Sequence, residues 1–335
     1  MLGNFRRRVL ATGLIAVITL ASNAALALDK VRIGKAVPNS FAFSTAEIGI
    51  DAKIWQQENI ELVVSAFRGD AQMQQALTAG AVDVALGSGP GMGFRAKGVP
   101  AIGVAAMYGP PANLALTVLA RSQIRTVADL KGKKIGVTTL GSLTDWLTRK
   151  LSQQQGWGPD GITVLPLGAV PARFAAMERN ELDGMVIESA TSYELEEQGK
   201  GRTITLFGDI EKHFYTHVIY ATDDMIEKRP ELLRRFLRGW FKTVAFMRAN
   251  KAAAVKSGAK VVEVRESIVS KVYDSQIGSF SADGAWDMQS IDVIRNSLKE
   301  LGILDFIPEA KVIYNDKFVP VKFCTCLPAQ APLPV

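Results

Sequence analysis

Cysteine and histidine are scarce in this chain, two of each among 335 residues. That excludes a disulfide-stapled scaffold and a Cys/His metal cluster. Cys324 and Cys326 stand one residue apart, too close for an unstrained bridge, and read as a tail ornament. His213 and His217 have the i, i+4 spacing of a helical metal pair. The run Phe214 to Tyr220 has strand character, however, which would part the rings by ~13 Å at ~3.3 Å per residue. No metal site is expected. The Gly-x-Ser-x-Gly elbow of hydrolases and a Walker loop are both missing. In Gly87–Gly93, Met92 replaces the third glycine of a dinucleotide fingerprint and Pro90 stiffens the turn. The expectation is a protein that is not an enzyme, with no catalytic residues and no cofactor. Charge is sparse too, at 21% against 48% hydrophobic residues, which excludes a disordered polymer. The chain has no basic block interleaved with aromatics, so nucleic acid is not an expected partner. Its 29 glycines and 14 prolines follow no G-X-Y period, so it is not a collagen-like fibre.

What is present begins with a three-part leader. Arg6, Arg7 and Arg8 precede the apolar run Val9–Ala21, and Ala25-Leu26-Ala27 offers small residues at a cleavage site. The run is short of the ~20 residues a membrane span needs. Residues 1–27 are therefore expected to be a signal peptide, with Sec and twin-arginine export both open. Removing three arginines and no acid would lower the formal charge from +6 to +3. The expected location is the periplasm.

The remaining chain alternates short β-type runs with amphipathic helical stretches, the pattern of layered α/β domains. Strands are expected at Val31–Ala36, Glu61–Phe67, Val82–Leu86, Ala101–Met107 and Leu114–Ala120. A second series follows at Ile135–Thr138, Ile162–Leu167, Leu182–Ile187, Thr203–Phe207 and His217–Ala221. Leu143, Trp146, Leu147 and Leu151 form a helical stripe, and Leu233, Phe236, Leu237, Trp240, Phe241 and Val244 a broader one after Pro230. The expected division is discontinuous: residues 28–118 with 215–335 in one lobe, and 119–214 in the other.

Three strand-to-helix turns are rich in small polar residues: Pro38-Asn39-Ser40, Gly87-Ser88-Gly89 and Thr139-Leu140-Gly141-Ser142. Such turns sit at the carboxyl ends of strands, where backbone N–H groups at helix starts collect ligands. For Ser142 a capping box with Asp145 uses the same donors without any ligand.

These residues resemble the nitrate/sulfonate/taurine-type solute-binding proteins of bacterial ATP-driven importers. The resemblance rests on Val31-Arg32-Ile33-Gly34, Ala79-Gly80-Ala81-Val82-Asp83-Val84-Ala85 and Asp129-Leu130-Lys131-Gly132-Lys133-Lys134-Ile135-Gly136-Val137. Gly141-Ser142, Pro171–Met177, Asn180–Val186 and Phe318-Val319-Pro320-Val321 continue it in order. The resemblance implies the type II periplasmic-binding-protein fold, two doubly wound α/β lobes joined by two crossover hinge strands. It also implies a monomer that closes on a small-molecule ligand and delivers it to an inner-membrane ABC permease with its ATPase. The alternative is a thiamin-pyrimidine-precursor synthase-like enzyme, or a precursor binder, on the same fold. Ligand contacts carried over are Ser40, Phe41, Ser88, Gly89, Gly141, Ser142, Arg173 and Glu188. Ser88 and Ser142 would donate to ligand oxygens from opposite lobes, Phe41 would stack on the ligand, and Arg173 would supply positive charge. Glu188 argues for a ligand amine or heterocycle N–H. Tyr108 and Asn113 flank the hinge as weaker candidates. Sulfonates, nitrate, aromatic acids, amides and pyrimidines all stay open.

Overall fold

A computed structural model of the chain describes residues 27–323. The expected leader up to residue 26 and both cysteines lie outside the described residues. The strands form two five-stranded sheets. The first holds β1 (Asp29–Lys35), β2 (Ile60–Ala66), β3 (Val84–Ser88) and β4 (Ala101–Tyr108). The second holds β5 (Leu114–Leu119), β6 (Lys134–Val137), β7 (Thr163–Pro166), β8 (Gly184–Glu188) and β9 (Gly201–Leu206). The chain then returns, and β10 (His217–Thr222) completes the first sheet. The strand orders are β2-β1-β3-β10-β4 and β7-β6-β8-β5-β9. Each sheet is wound from parallel strands and admits one antiparallel strand from a crossing: β10 between β3 and β4, and β5 between β8 and β9.

The expected cut after residue 118 falls inside β5, whose ladder partners both lie in the second sheet. An apolar run such as Leu114–Leu119 reads the same in either sheet, so only its pairing places the crossing. The chain crosses at Gly109–Asn113, where Pro110 and Pro111 end β4. It returns beside the same point, because the Thr216 N–H and hydroxyl both donate to the Gly109 carbonyl, at 3.0 and 2.6 Å. Gly89 packs against this crossing. A Cβ there would stand 2.1 Å from the Tyr215 carbonyl oxygen, so the position excludes a side chain.

The repeated glycine/aspartate motif has a structural cause. After the helix Asp70–Thr78, Gly80 takes φ +65°, and Asp83 then accepts from the Arg32 N–H at 3.0 Å and from its guanidinium. After the helix Val170–Glu178, Asn180 takes φ +59°, and Asp183 accepts from the Lys134 N–H at 2.8 Å. Each aspartate thus pins the start of its sheet's central β-α-β unit in register. The motif's aspartates are spent on holding the lobes together.

The long helix Pro230–Ala249 buries Leu233, Phe236, Leu237, Trp240, Phe241, Val244 and Met247 against the first lobe. Phe236 stacks on Trp55 with ring centroids 5.3 Å apart. One helix, Ser189–Glu197, has no counterpart in the sequence reading. Only Ser189, Ala190 and Ser192 of its residues are buried, so it carries no apolar stripe to find. Among the described residues, no helix is long and apolar enough to cross a membrane.

Candidate functional site

Where the two crossings pass between the sheets, the carboxyl end of β8 meets the loop that follows β1. Glu188 ends β8, and Ser40 from that loop lies beside its carboxylate. Asn113, the last residue of the first crossing, is fully buried. Its amide nitrogen lies 3.2 Å from a Glu188 carboxylate oxygen and 3.1 Å from Nε2 of His217, the first residue of β10. The Ser189 N–H donates to the Asn113 carbonyl at 2.7 Å. Gln276, at the end of the helix Glu266–Gln276, donates to the Ser189 hydroxyl at 2.9 Å. His217 packs against Phe43 and Tyr108, at centroid distances of 4.5 and 5.9 Å. Both lobes and both crossings therefore contribute to one polar cluster.

Burial governs its electrostatics. Desolvation lifts the Glu188 carboxyl to about 8, against the opposing pull of the Asn113 amide and the Ser40 hydroxyl. It is largely protonated at neutral pH. Desolvation drives His217 down to about 3, so its ring is neutral. With the Asn113 amide donating to Nε2, the ring proton sits on Nδ1. Burial also pushes Tyr108 up, so its hydroxyl stays protonated. The cluster carries little net charge, and it holds neither a thiol nor a basic imidazole.

Asn113 Oδ1 and Gln276 Oε1 have no hydrogen-bond partner among the described residues, whereas the Ser40 hydroxyl lies on Glu188, the Tyr108 hydroxyl on Ser279 and the His217 ring on the Gly87 backbone. Buried polar atoms are ordinarily paired, because each unmet one costs about 1–3 kcal/mol. Two such oxygens, buried where the lobes meet, mark a place built to be completed by something else.

The residues singled out from sequence are dispersed around this cluster. Ser40 and Glu188 are in it. The Ser88 hydroxyl accepts from the Gly91 N–H at 3.3 Å, and its carbonyl accepts from the Tyr220 hydroxyl at 2.5 Å. It lies opposite His217 in the β3–β10 ladder, but its side chain is used in its own turn. Ser142 caps the helix Leu143–Gln154 by accepting from the Asp145 N–H, while the Gly141 N–H donates to the Asp145 carboxylate at 2.8 Å. The capping alternative describes both residues. Phe41 does not offer its ring to the cleft. It lies edge-on to Tyr273 and Phe280 at 6.4 and 6.0 Å and is 2% exposed, because the aromatic core of the first lobe encloses it.

Arg173 lies neither on a solvated face nor in the cluster. Its side chain runs across Gly136 and donates to the Val186 carbonyl, and desolvation without a carboxylate partner lowers it to about 10. Asn113, His217 and Gln276 are the residues that sequence reasoning placed low or missed. No group of three or more His, Cys, Asp or Glu side chains suited to a metal exists among the described residues.

The lobes also touch on either side of the cluster. Trp146 of the second lobe stacks on Phe214 at 4.5 Å and donates to Glu300 of the first at 2.9 Å. Glu197 pairs with Arg265 and, at 3.2 Å, with Lys271.

Comparison with known proteins agrees with this architecture. The alkanesulfonate-binding protein SsuA of Xanthomonas axonopodis pv. citri, solved with MOPS bound, superposes with a TM-score of 0.72 at 19% identity, covering 85% of this chain and 96% of that one. The periplasmic aliphatic sulphonate binding protein SsuA of Escherichia coli gives 0.71 at 19% identity, covering 90% and 96%. At that identity the likeness establishes the fold, that of periplasmic binding proteins. A curated relative, the 4-amino-5-hydroxymethyl-2-methylpyrimidine phosphate synthase of Saccharomyces cerevisiae, is 23% identical over 214 residues, 60% of this chain. The match spans 62% of that relative's length. The profile of the NMT1/THI5 like family matches residues 54–254, more than half of the sequence. With both sheets, both crossings and the interlobe cluster in place, the chain belongs to the NMT1/THI5-like family.

Proposed function

We propose that this protein is the extracytoplasmic substrate-binding component of an ABC-type importer, capturing a small organic solute between its lobes and handing it to a membrane permease. The observation that carries this reading is the pair of unpartnered buried amide oxygens, of Asn113 and Gln276, where the lobes meet. A cleft of this kind closes around a ligand by rotation at a few crossing residues, and here both crossings run through the cluster itself. Hydrogen bonds from a handful of fixed groups suffice for micromolar affinity, about −8 kcal/mol. The leader expected at residues 1–27 fits export to the periplasm, and the ATPase would be met through the permease. The ligand contacts proposed are Ser40, Asn113, Glu188, His217 and Gln276. Ser88, Gly141 and Ser142 shape the walls, and Phe41 and Arg173 support the lobes.

The yeast relative favours a second reading, an enzyme making a pyrimidine precursor. The same fold carries binding and catalysis, so the site must decide. A neutral His217 held near 3 is a poor proton acceptor at pH 7, which weighs against catalysis here. A thermal-shift screen over sulfonates, nitrate, aromatic acids, amides, ureas and pyrimidines tests the proposal. One class should raise the melting temperature in proportion to the logarithm of its concentration. Silence across the panel at millimolar concentrations would contradict solute capture, and turnover of a pyrimidine precursor would favour the enzyme.

A further inference from the structure

The hydrogen-bonding capacity of the cluster restricts what it can hold. The Asn113 amide spends its two N–H groups on Glu188 and His217, at 3.2 and 3.1 Å, and this fixes its orientation. Its oxygen, buried and unpartnered, is left as a pure acceptor. Gln276 presents a second oxygen of this kind. Its amide nitrogen donates to the Ser189 hydroxyl at 2.9 Å, and its oxygen is buried without a donor. The two side chains are linked through Ser189, which donates its backbone N–H to the Asn113 carbonyl, so the acceptors belong to one site. Around them stand the Ser40 and Tyr108 hydroxyls, which can turn their O–H from Glu188 and Ser279 to a ligand acceptor. Among the described residues, no lysine or arginine side chain hydrogen-bonds to a member of the cluster.

We infer that the cleft selects an uncharged solute of the urea or carboxamide class, which presents at least two N–H donors to the Asn113 and Gln276 side-chain oxygens and one carbonyl-type acceptor to the surrounding hydroxyls. Nitrate and sulfonates are acceptor-only. They would leave both amide oxygens desolvated and unpaired, each at the cost of ~10-fold or more in affinity. A site built around particular hydrogen bonds rejects analogues that lack them more strongly than a hydrophobic pocket rejects a change of size.

This inference rests on the solute-capture reading, and its test separates the two. Isothermal titration of the full-length mature protein at neutral pH compares ethyleneurea and benzamide with sodium methanesulfonate and sodium nitrate. The urea and amide should bind, and the two anions should bind at least ~10-fold more weakly or not at all. Gln276→Met, close in shape but without the acceptor, should weaken ethyleneurea ~10-fold, whereas Gln276→Glu, which keeps acceptor oxygens, should stay within a few-fold of wild type. The melting temperature of each variant without ligand reports whether it folds. Tighter binding of methanesulfonate or nitrate than of ethyleneurea would overturn the inference and leave solute capture standing. Equal affinities for Gln276→Met and Gln276→Glu would likewise overturn it. Silence of all four compounds with folded wild-type protein would overturn the inference, while solute capture falls only on silence across the whole thermal-shift panel.

Discussion

At the scale of single residues, Glu188 and His217 pull stability in opposite directions with pH. The folded protein keeps the Glu188 proton up to about 8, whereas the unfolded chain releases it near its ordinary value of 4.5. Between these limits the folded state binds more protons, so this contribution is intact below 4.5 and is lost as pH rises towards 8. His217 is the reverse: it titrates near 6.5 when unfolded and about 3 when folded, so stability is intact above 6.5 and lost as pH falls towards 3. Between 4.5 and 6.5 the two slopes offset each other. Urea midpoints measured across pH should therefore form a plateau there, with a falling limb on each side. Glu188→Gln should remove the limb between 6.5 and 8 and extend the acid limb up to 6.5, because the His217 slope is then no longer offset. An unchanged alkaline limb in that variant would mean that Glu188 is not desolvated.

At the scale of elements, Asp83 holds the first lobe as Asp183 holds the second. Burial works to raise the Asp83 carboxyl, but hydrogen bonds from Arg32 and Arg229 outweigh it and hold it at about 2. Asp83→Asn leaves two partly exposed arginines facing a neutral amide and should cost about 1.5 kcal/mol, read as a shift in the urea midpoint. A loss within ~0.5 kcal/mol would place the motif's role elsewhere.

Much of the element plan was legible because its signals are local. Strands declared themselves as apolar runs between turns, and the helix at Leu143 by its stripe and its Ser142 cap. The helix Ser189–Glu197 and the sheet membership of β5 were not legible. The first buries almost nothing apolar, and the second depends on partners 68 or more residues away in sequence, such as Glu188 and Leu206. The site divided in the same way. Ser40 and Glu188 sit in strand-end turns that sequence points to directly. Asn113 and His217 meet across a separation of 104 residues, and His217 opens the apolar run Val218–Ala221, where it reads as core. Phe41 and Arg173 have the residue types a ligand would want, but their burial is decided by neighbours no local pattern reveals.

At the scale of the whole molecule, the two crossings place a nearly uncharged, incompletely bonded cluster where the lobes meet. The Trp146–Phe214–Glu300 and Glu197–Arg265 contacts flank it on either side. The buried Asn113 and Gln276 oxygens, unpaired among the described residues, are the atoms that the proposed solute would pair. A crystal structure of the protein with its highest-affinity solute from the thermal-shift screen tests this most directly. The solute should lie between the lobes within hydrogen-bond distance of Asn113, Glu188, His217 and Gln276, its donors on the two amide oxygens. Solute density elsewhere on the molecule, with those side chains bonded only to one another or to ordered water, would contradict the account.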